Sequence, residues 1–219
     1  MAVDCATRRT EPMKIGIIGA GNIGATLAKL LVERDHEVII ANSRGPQTLA
    51  GLVESLGPRA SAATVEEAAQ AGEVVIEAIP FGKVATLPAA ALAGKVLITA
   101  SNYYPGRDGP MDLGGLTHSE YVHRQVPQAH VAKAFNTIYF EHLRVEGDRA
   151  KPAAQRRVIP FAASDGKAEA AAREIIEQLG FGALWLGALD AVKGIAEPGD
   201  RLYNKQLTLA EAEAILAER

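Results

Sequence analysis

The chain has 219 residues, enough for one well-buried core with additions but not for two full-sized domains. Hydrophobic residues make up 48% and no low-complexity block appears, so the chain is globular; a net charge of −3 supplies no basic field, so no nucleic acid is expected as a partner. No apolar run approaches the roughly 20 residues of a membrane span, so no membrane is expected either.

Residues 1–12 lack the apolar stretch of a secretory signal and read as a disordered leader, with Met13 an alternative start. Cys5, in that leader, is the single cysteine; it cannot form an internal disulfide or a zinc site, and a cytoplasmic setting with no metal is expected. Ile15, Ile17 and Ile18 then form the short apolar run of a buried parallel strand. It turns through Gly19-Ala-Gly-Asn-Ile-Gly24 into a helix over 22–33, with Ile23, Leu27, Leu30 and Leu31 on one face. In such a turn Gly19 allows the tight bend, Gly21 lets the backbone approach a pyrophosphate and Gly24 lets the helix pack on the strand. The helix N-terminus supplies free N–H groups and a positive dipole end for the phosphates.

The second strand, from Val38, ends in Asn42-Ser-Arg44, where a chain selecting NAD carries an acidic residue for the ribose hydroxyls. None lies between Val38 and Pro46. Ser43 offers a hydroxyl and Arg44 forked charged donors for a 2′-phosphate, which points to NADP; the other reading of Arg44 is a solvated loop charge.

The alternation continues with a helix over 47–56, a strand over 60–63, a helix to Ala71 opened by a Thr64/Glu67 capping box, and a strand over 73–79. A helix over 84–92, a strand over 95–100, a long loop over 101–116 and a helix to Gln125 capped by Thr117 and Glu120 follow. Strands are expected over 130–135, 158–163 and 181–186, and helices from Asn136, over 167–179 and over 209–217, with Thr208 and Glu211 as a further box; 146–155 reads as a surface loop. The pattern is α/β: a Rossmann-type, doubly wound, mostly parallel sheet over 13–136, with a small C-terminal α/β extension and terminal helix over 137–219. Whether that extension is an appended lobe or continues the sheet is left open by the pattern.

The chain resembles the family of small NADPH-dependent coenzyme F420 reductases, the F420H2:NADP oxidoreductases. Lys14-Ile-Gly-Ile-Ile-Gly-Ala-Gly-Asn-Ile-Gly24, Ala41-Asn-Ser-Arg-Gly-Pro46, Val131-Ala-Lys-Ala-Phe-Asn136 and Pro160-Phe-Ala-Ala-Ser-Asp165 carry the likeness. The first is shared with many Rossmann proteins; Asn-Ser-Arg-Gly-Pro and Lys-Ala-Phe-Asn are more particular. The aromatic loop Ser101-Asn-Tyr-Tyr-Pro-Gly-Arg-Asp-Gly109 is similar to a bacterial branch rather than to the archaeal enzymes.

The resemblance implies an NADP site at the glycine turn, a deazaflavin site at the carboxyl ends of the strands, and a homodimer. It implies that Gly19, Ala20, Gly21, Asn22, Ile23 and Gly24 hold pyrophosphate, and that Ser43 and Arg44, beside Asn42, hold the 2′-phosphate. Ala78, Ile79 and Pro80, with Phe81 and Ala100, would lie along the ribose and nicotinamide. Ser101, Asn102, Tyr103, Phe135 and Asn136 are expected to bind the second substrate, with Tyr104 and Tyr139 as further wall candidates.

Phe81 and Tyr103 read either as stacking platforms or as packing, and Asn102 and Asn136 either as ligand hydrogen-bonders or as caps. Arg107 and Asp108 contact an anionic tail or pair with each other; His118, His123, His130 and His142 read as structural or exposed. Hydride transfer between stacked rings requires no acid, metal or nucleophile, so no catalytic residue is assigned. Coenzyme F420 is the expected acceptor or donor. A flavin, quinone or other small molecule is the alternative, and a non-catalytic NADP sensor the second. The roughly 30 residues after the last strand are too few for the helical dimerisation domain of an imine reductase. Leu202 to the C-terminus covers either a neighbouring subunit or its own sheet.

Overall fold

The computed structural model describes residues 11–218, so all but the last two positions of the expected leader lie outside the described residues. The first unit is β1 (Lys14–Ile18), α1 (Asn22–Val32) and β2 (Glu37–Ala41). It is followed by α2 (Ala50–Leu56), β3 (Ala60–Ala62), α3 (Val65–Ala71), β4 (Val74–Glu77), α4 (Ala89–Leu92), β5 (Val96–Thr99), α5 (Pro105–Asp108), α6 (His118–Gln125) and β6 (His130–Lys133). The last third supplies α7 (Phe140–Val145), β7 (Val158–Ala163), α8 (Gly166–Gln178), β8 (Gly182–Trp185) and α9 (Leu209–Ala217).

One sheet in the order β3-β2-β1-β4-β5-β6-β7-β8 holds all eight strands. The C-terminal segment therefore continues the sheet. Side chains alternate across the strands as the two-residue period requires: Ile15, Ile17, Val74, Ile76, Val96 and Ile98 pack toward α1 and α8. Ile18, Val75, Leu97 and Val131 enter a second layer with Val122 of α6. Helices cover both faces, so the strands are near-continuous apolar runs, as a parallel sheet demands.

Neighbouring strands are parallel except β6 and β7. The β6–β7 ladder is short, pairing Ala132 with Ala163 and Lys133 with Ala162. Val158–Phe161 therefore project beyond Lys133 at the carboxyl end of β6. Pro160, which has no N–H to give a ladder, sits in that projecting part, outside the β6 pairing. The segment after β8 packs on the projection: Val192, Ile195, Leu202 and Ala212 form a small core with Val158 and Leu184. The tail thus covers its own sheet.

The expected elements differ from the observed ones where proline or local hydrogen bonding intervenes. The helix expected over 47–56 begins as a 3-10 turn, Pro46–Leu49, before α2. The one expected over 84–92 is split into a 3-10 turn, Phe81–Thr86, and α4, because Leu87 precedes Pro88 and is held extended at ψ 139°. The loop 101–116 contains the single-turn α5. Strands expected to reach Ile79 and Phe135 stop at Glu77 and Lys133, and the helix expected from Asn136 begins at Phe140. All three Thr/Glu capping boxes form, at Thr64, Thr117 and Thr208. Among the described residues no helix is long and apolar enough to cross a membrane, and no cluster of metal-ligating side chains is present.

Candidate active site

The turn between β1 and α1 is set by backbone crowding. Gly19 has φ +112°, and a Cβ there would lie 2.5 Å from the Ala78 carbonyl oxygen. A Cβ on Gly24 would lie 1.8 Å from the carbonyl oxygen of Gly19, so α1 is drawn tightly onto the turn. Gly21 differs: nothing lies within 4 Å of where its Cβ would stand, and the space in front of it is open. Gly21 is the N-cap of α1 and no side chain caps that helix, leaving its first N–H groups without a side-chain partner at the positive end of the dipole.

At the end of β2, Asn42 is used within the loop. Its Oδ1 accepts from Arg44 N–H at 2.9 Å and its Nδ2 donates to Thr48 Oγ1 at 2.9 Å. This Asx turn leaves Ser43 and Arg44 exposed, and Arg44 makes no ion pair among the described residues. An exposed guanidinium thus stands just after β2, whose last residue, Ala41, accepts at 2.9 Å from Gly19 N–H of the glycine turn.

A cleft of about 390 Å³ opens beside the turn. Gly21, Asn22 and Ile23 form one side, and Ala78, Ile79, Pro80, Ala100, Ser101 and Asn102 follow β4 and β5. Phe135 and Asn136 follow β6, with Thr137, Ile138, Tyr139 and Phe140 after them; Tyr104, Arg107, Tyr203 and Asn204 complete the wall. This is the carboxyl end of a parallel sheet, where open α/β folds bind ligands.

The structure brings together most of the expected residues but not all. Phe81 is fully buried and Tyr103 is not on the wall. Phe81 packs at 5.7 Å from the Tyr103 ring, 5.2 Å from His118 and 5.4 Å from Tyr121. The Tyr103 hydroxyl donates to the Gly109 carbonyl and accepts from Met111 N–H, both at 2.9 Å. Both aromatics are packing groups of the loop that follows β5. Gly19, Ala20, Gly24, Asn42, Ser43 and Arg44 lie outside the cleft wall, in the turn and the adjoining loop. None of His118, His123, His130 and His142 lines the cleft. Arg107 pairs with Asp108 through Nε at 3.0 Å and Nη2 at 2.8 Å, while Nη2 also donates to the Asn102 carbonyl at 2.6 Å.

Asn102 and Asn136 bind each other. Asn102 Nδ2 donates to the Asn136 carbonyl at 2.8 Å, and Asn136 Nδ2 donates to Asn102 Oδ1 at 3.2 Å and to the Ala196 carbonyl at 2.7 Å. Asn136 Oδ1 is buried with no hydrogen-bond partner among the described residues, an acceptor held beside the cleft. The preceding Phe135 is buried at φ +61°, a left-handed conformation that costs a non-glycine residue energy and redirects the chain after β6.

Beneath the cleft lies a buried charged network. Glu77 Oε2 accepts from Thr99 Oγ1 at 2.6 Å and Ser101 Oγ at 3.0 Å, and Oε1 from Ile79 N–H at 2.8 Å. Burial pushes its carboxyl above the usual range against these donors. Lys133 is fully buried and donates from Nζ to the Ser101 carbonyl. Burial lowers its ammonium to about 8, although Glu77 and Glu197 act the other way. Glu197 Oε1 accepts from His118 N–H at 2.6 Å, and burial raises its carboxyl. Burial, with Lys133 nearby, lowers the His118 imidazole to about 4.

Sequence reasoning did not find Tyr203 and Asn204. Asn204 N–H donates to the Thr137 carbonyl at 3.0 Å, and the Tyr203 hydroxyl bonds that of Tyr104. No local motif marks either residue; their place depends on the tail returning across the sheet. Glu77 and Glu197 were likewise unmarked, and Lys133 was noted only within its Lys-Ala-Phe-Asn motif, although a lysine and a glutamate at the ends of apolar strands were a usable signal.

The glycine turn, the uncapped helix and the cleft at the switch from strand to helix define a Rossmann-type dinucleotide-binding protein. Residues 14–103 match the family model described as NADP oxidoreductase, coenzyme F420-dependent. The hypothetical protein SMa0349 from Sinorhizobium meliloti is 33% identical over 90% of this chain and 95% of its own, with a TM-score of 0.78. A candidate F420-dependent NADP-reductase from Arthrobacter sp. FB24 is 25% identical over 83% and 88%, with a TM-score of 0.69. An imine reductase from Pseudomonas sp. shares the fold at 20% identity and a TM-score of 0.60, and this chain spans 57% of it. No match is found among curated proteins. The chain belongs to one family with SMa0349, a family of NADP-dependent oxidoreductases.

Proposed function

We propose that the protein transfers hydride between NADP(H) and a flat acceptor in the cleft, and that this acceptor is the deazaflavin coenzyme F420. The observation that carries the reading is the position of the cleft, which opens beside the uncapped start of α1 at the ends of β4, β5 and β6. The family description and that of the Arthrobacter relative both name F420. A cleft of about 390 Å³ falls in the ordinary range for small-molecule sites.

The residues present fit a dinucleotide. The Gly19–Gly24 cradle excludes any side chain at two of its glycines and leaves space at the third. In this reading the turn, including Ala20, and the first N–H groups of α1 hold the pyrophosphate. Ser43 and Arg44 hold the 2′-phosphate. Ala78, Ile79, Pro80 and Ala100 line the nicotinamide half. Ser101, Asn102, Phe135 and Asn136 form the acceptor wall, with Asn136 Oδ1 ready to accept a ligand N–H. The nicotinamide would supply the hydride when bound, and the residues named would hold the two rings against each other. No side chain is assigned a covalent step.

The test mixes purified protein and NADPH separately with coenzyme F420, riboflavin phosphate and a simple quinone, following the nicotinamide and deazaflavin absorbance bands. Loss of the deazaflavin band with NADPH oxidation is the expected result. Oxidation by flavin or quinone alone moves the acceptor and keeps the cofactor. NADPH binding without any turnover overturns the enzymatic reading.

A further inference from the structure

Beside the cleft, and continuous with it, lies a second hollow of about 250 Å³ between α1 and α7. The two share Asn22 and Phe140, the first residues of those helices. From that junction the hollow follows α1 past Thr26 and Lys29 to Glu33, and α7 to Arg144. Positions 22, 26, 29 and 33 recur at steps of three and four, so they share one face of α1; 140 and 144 are one turn apart on α7. Leu143 enters the same core as Leu27 and Leu31, which holds the two helices together beside the hollow.

Lys29 and Arg144 are exposed, and neither makes an ion pair among the described residues. Each lies in the last turn of its helix, where a cation also steadies the helix itself. That accounts for each charge alone, not for two of them lining one hollow from different helices. At about 1.5 Å per residue, Arg144 stands about 6 Å along α7 from Phe140, and Lys29 about 10 Å along α1 from Asn22. Thr26 offers a hydroxyl about 6 Å along α1 from Asn22. Glu33 lies about 16 Å from Asn22, and its carboxylate repels an anion that enters so far. The hollow is therefore ordered by distance from the cleft: an aromatic ring at the rim, cations and a hydroxyl at about 6–10 Å, an anion beyond.

We propose that this hollow is a subsite for an anionic side arm on the ligand whose ring fills the cleft: a phosphate or carboxylate about 6–10 Å from the rim, held by Lys29, Arg144 and the Thr26 hydroxyl. The inference rests on the acceptor-site reading above and narrows the acceptor to flat molecules that carry such an arm. An acceptor without one gains nothing from the hollow.

Two pairs of fluorescent probes test this on the intact chain saturated with NADP+: riboflavin phosphate against riboflavin, and coenzyme F420 against the same deazaflavin without its phosphate-bearing arm. Quenching of the probe fluorescence gives each Kd without turnover. In at least one pair the armed form is expected to bind about fivefold tighter, the yield of two exposed charged contacts, and the preference should shrink as salt is raised. Lys29→Gln/Arg144→Gln is expected to abolish the preference, and Glu33→Gln to increase it. Lys151→Gln, which removes an exposed charge outside the hollow, should keep it. Equal binding of armed and unarmed probes in both pairs, or a preference that survives in the double variant, overturns the proposal and leaves Lys29 and Arg144 as partners of their helix ends. An equal fall in Lys151→Gln overturns it in favour of a general field. Binding of no probe removes the acceptor reading and this inference with it; binding without an arm preference removes the inference alone.

Discussion

The phenolic oxygens of Tyr104 and Tyr203 meet at the cleft wall although the residues are 99 positions apart. Tyr203 is held protonated well above the ordinary tyrosine range by burial and by Tyr104. The pair therefore acts as a neutral latch between the loop after β5 and the tail. Tyr203→Phe should raise the acceptor KM by about fivefold to tenfold, the loss of one hydrogen bond of about 1 kcal/mol, and leave the NADPH Kd unchanged. Fluorescence titration of NADPH beside steady-state kinetics checks this; equal loss in both would place the tyrosine on the cofactor side.

The two glycines on either side of Asn22 and Ile23 separate folding from binding. Gly24→Ala forces a methyl against the Gly19 carbonyl and should destabilise the fold by about 2 kcal/mol or more. Gly21→Ala meets nothing, so its stability should stay within about 0.5 kcal/mol of wild type while NADPH binding weakens about tenfold. Denaturant melts and NADPH titrations of the two variants distinguish the effects. Loss of stability in Gly21→Ala would mean the open space is filled in solution.

Arg44 is exposed and unpaired among the described residues, and no acidic residue shares its loop. Arg44→Asp should weaken NADPH more than NADH by about tenfold or more, as expected when a charged hydrogen bond of about 1.5–3 kcal/mol is lost. Equal weakening of both would remove Arg44 from the 2′-phosphate site. The measurement is a pair of binding isotherms at one ionic strength, because a surface charge is screened by salt.

His118 gives the fold a predictable acid response. Its imidazole titrates at about 4 in the fold, against 6.5 in the unfolded chain. Between these values the unfolded state binds the extra proton, so stability falls as pH drops from about 6.5 toward 4 and is fully present above that window. The loss from this group amounts to at most about 3 kcal/mol. Glu197, whose carboxyl is raised, works in the opposite direction, and Lys133 and Asp108 also act on the ring. His118→Phe keeps the packing on Phe81 and should flatten the slope in urea melts taken at a series of pH values. An unchanged slope would assign the acid response to other groups.

Residues governed by local rules were legible in the sequence. The turn Gly19–Gly24 and the capping boxes at Thr64, Thr117 and Thr208 follow from interactions within a few positions. The apolar runs of β1, β4 and β5 announce a doubly wound sheet for the same reason. The cleft was readable where it follows a strand end, as at Pro80, Ser101, Asn102 and Asn136. Phe81 and Tyr103 resisted because an aromatic after a strand looks the same whether it stacks on a ligand or on its neighbours; only the loop closing over them decides. Tyr203 and Asn204 were invisible because their position depends on β7 reversing direction, which no periodicity records. Lys133 was noticed as part of a motif, but its complete burial against the Ser101 carbonyl is a tertiary property.

The reversal of β7 has a wider meaning for how such a molecule can change. Because that strand overshoots β6, the end of the chain is given a platform of its own at the rim. The dinucleotide turn and the outer wall are thus encoded in stretches that share few contacts. If the proposed acceptor site is right, exchange of residues 193–208 for those of a relative should change acceptor preference and leave NADPH binding as it was. One inverted strand makes the last part of the chain a faceplate with its own small core, set beside the glycine turn.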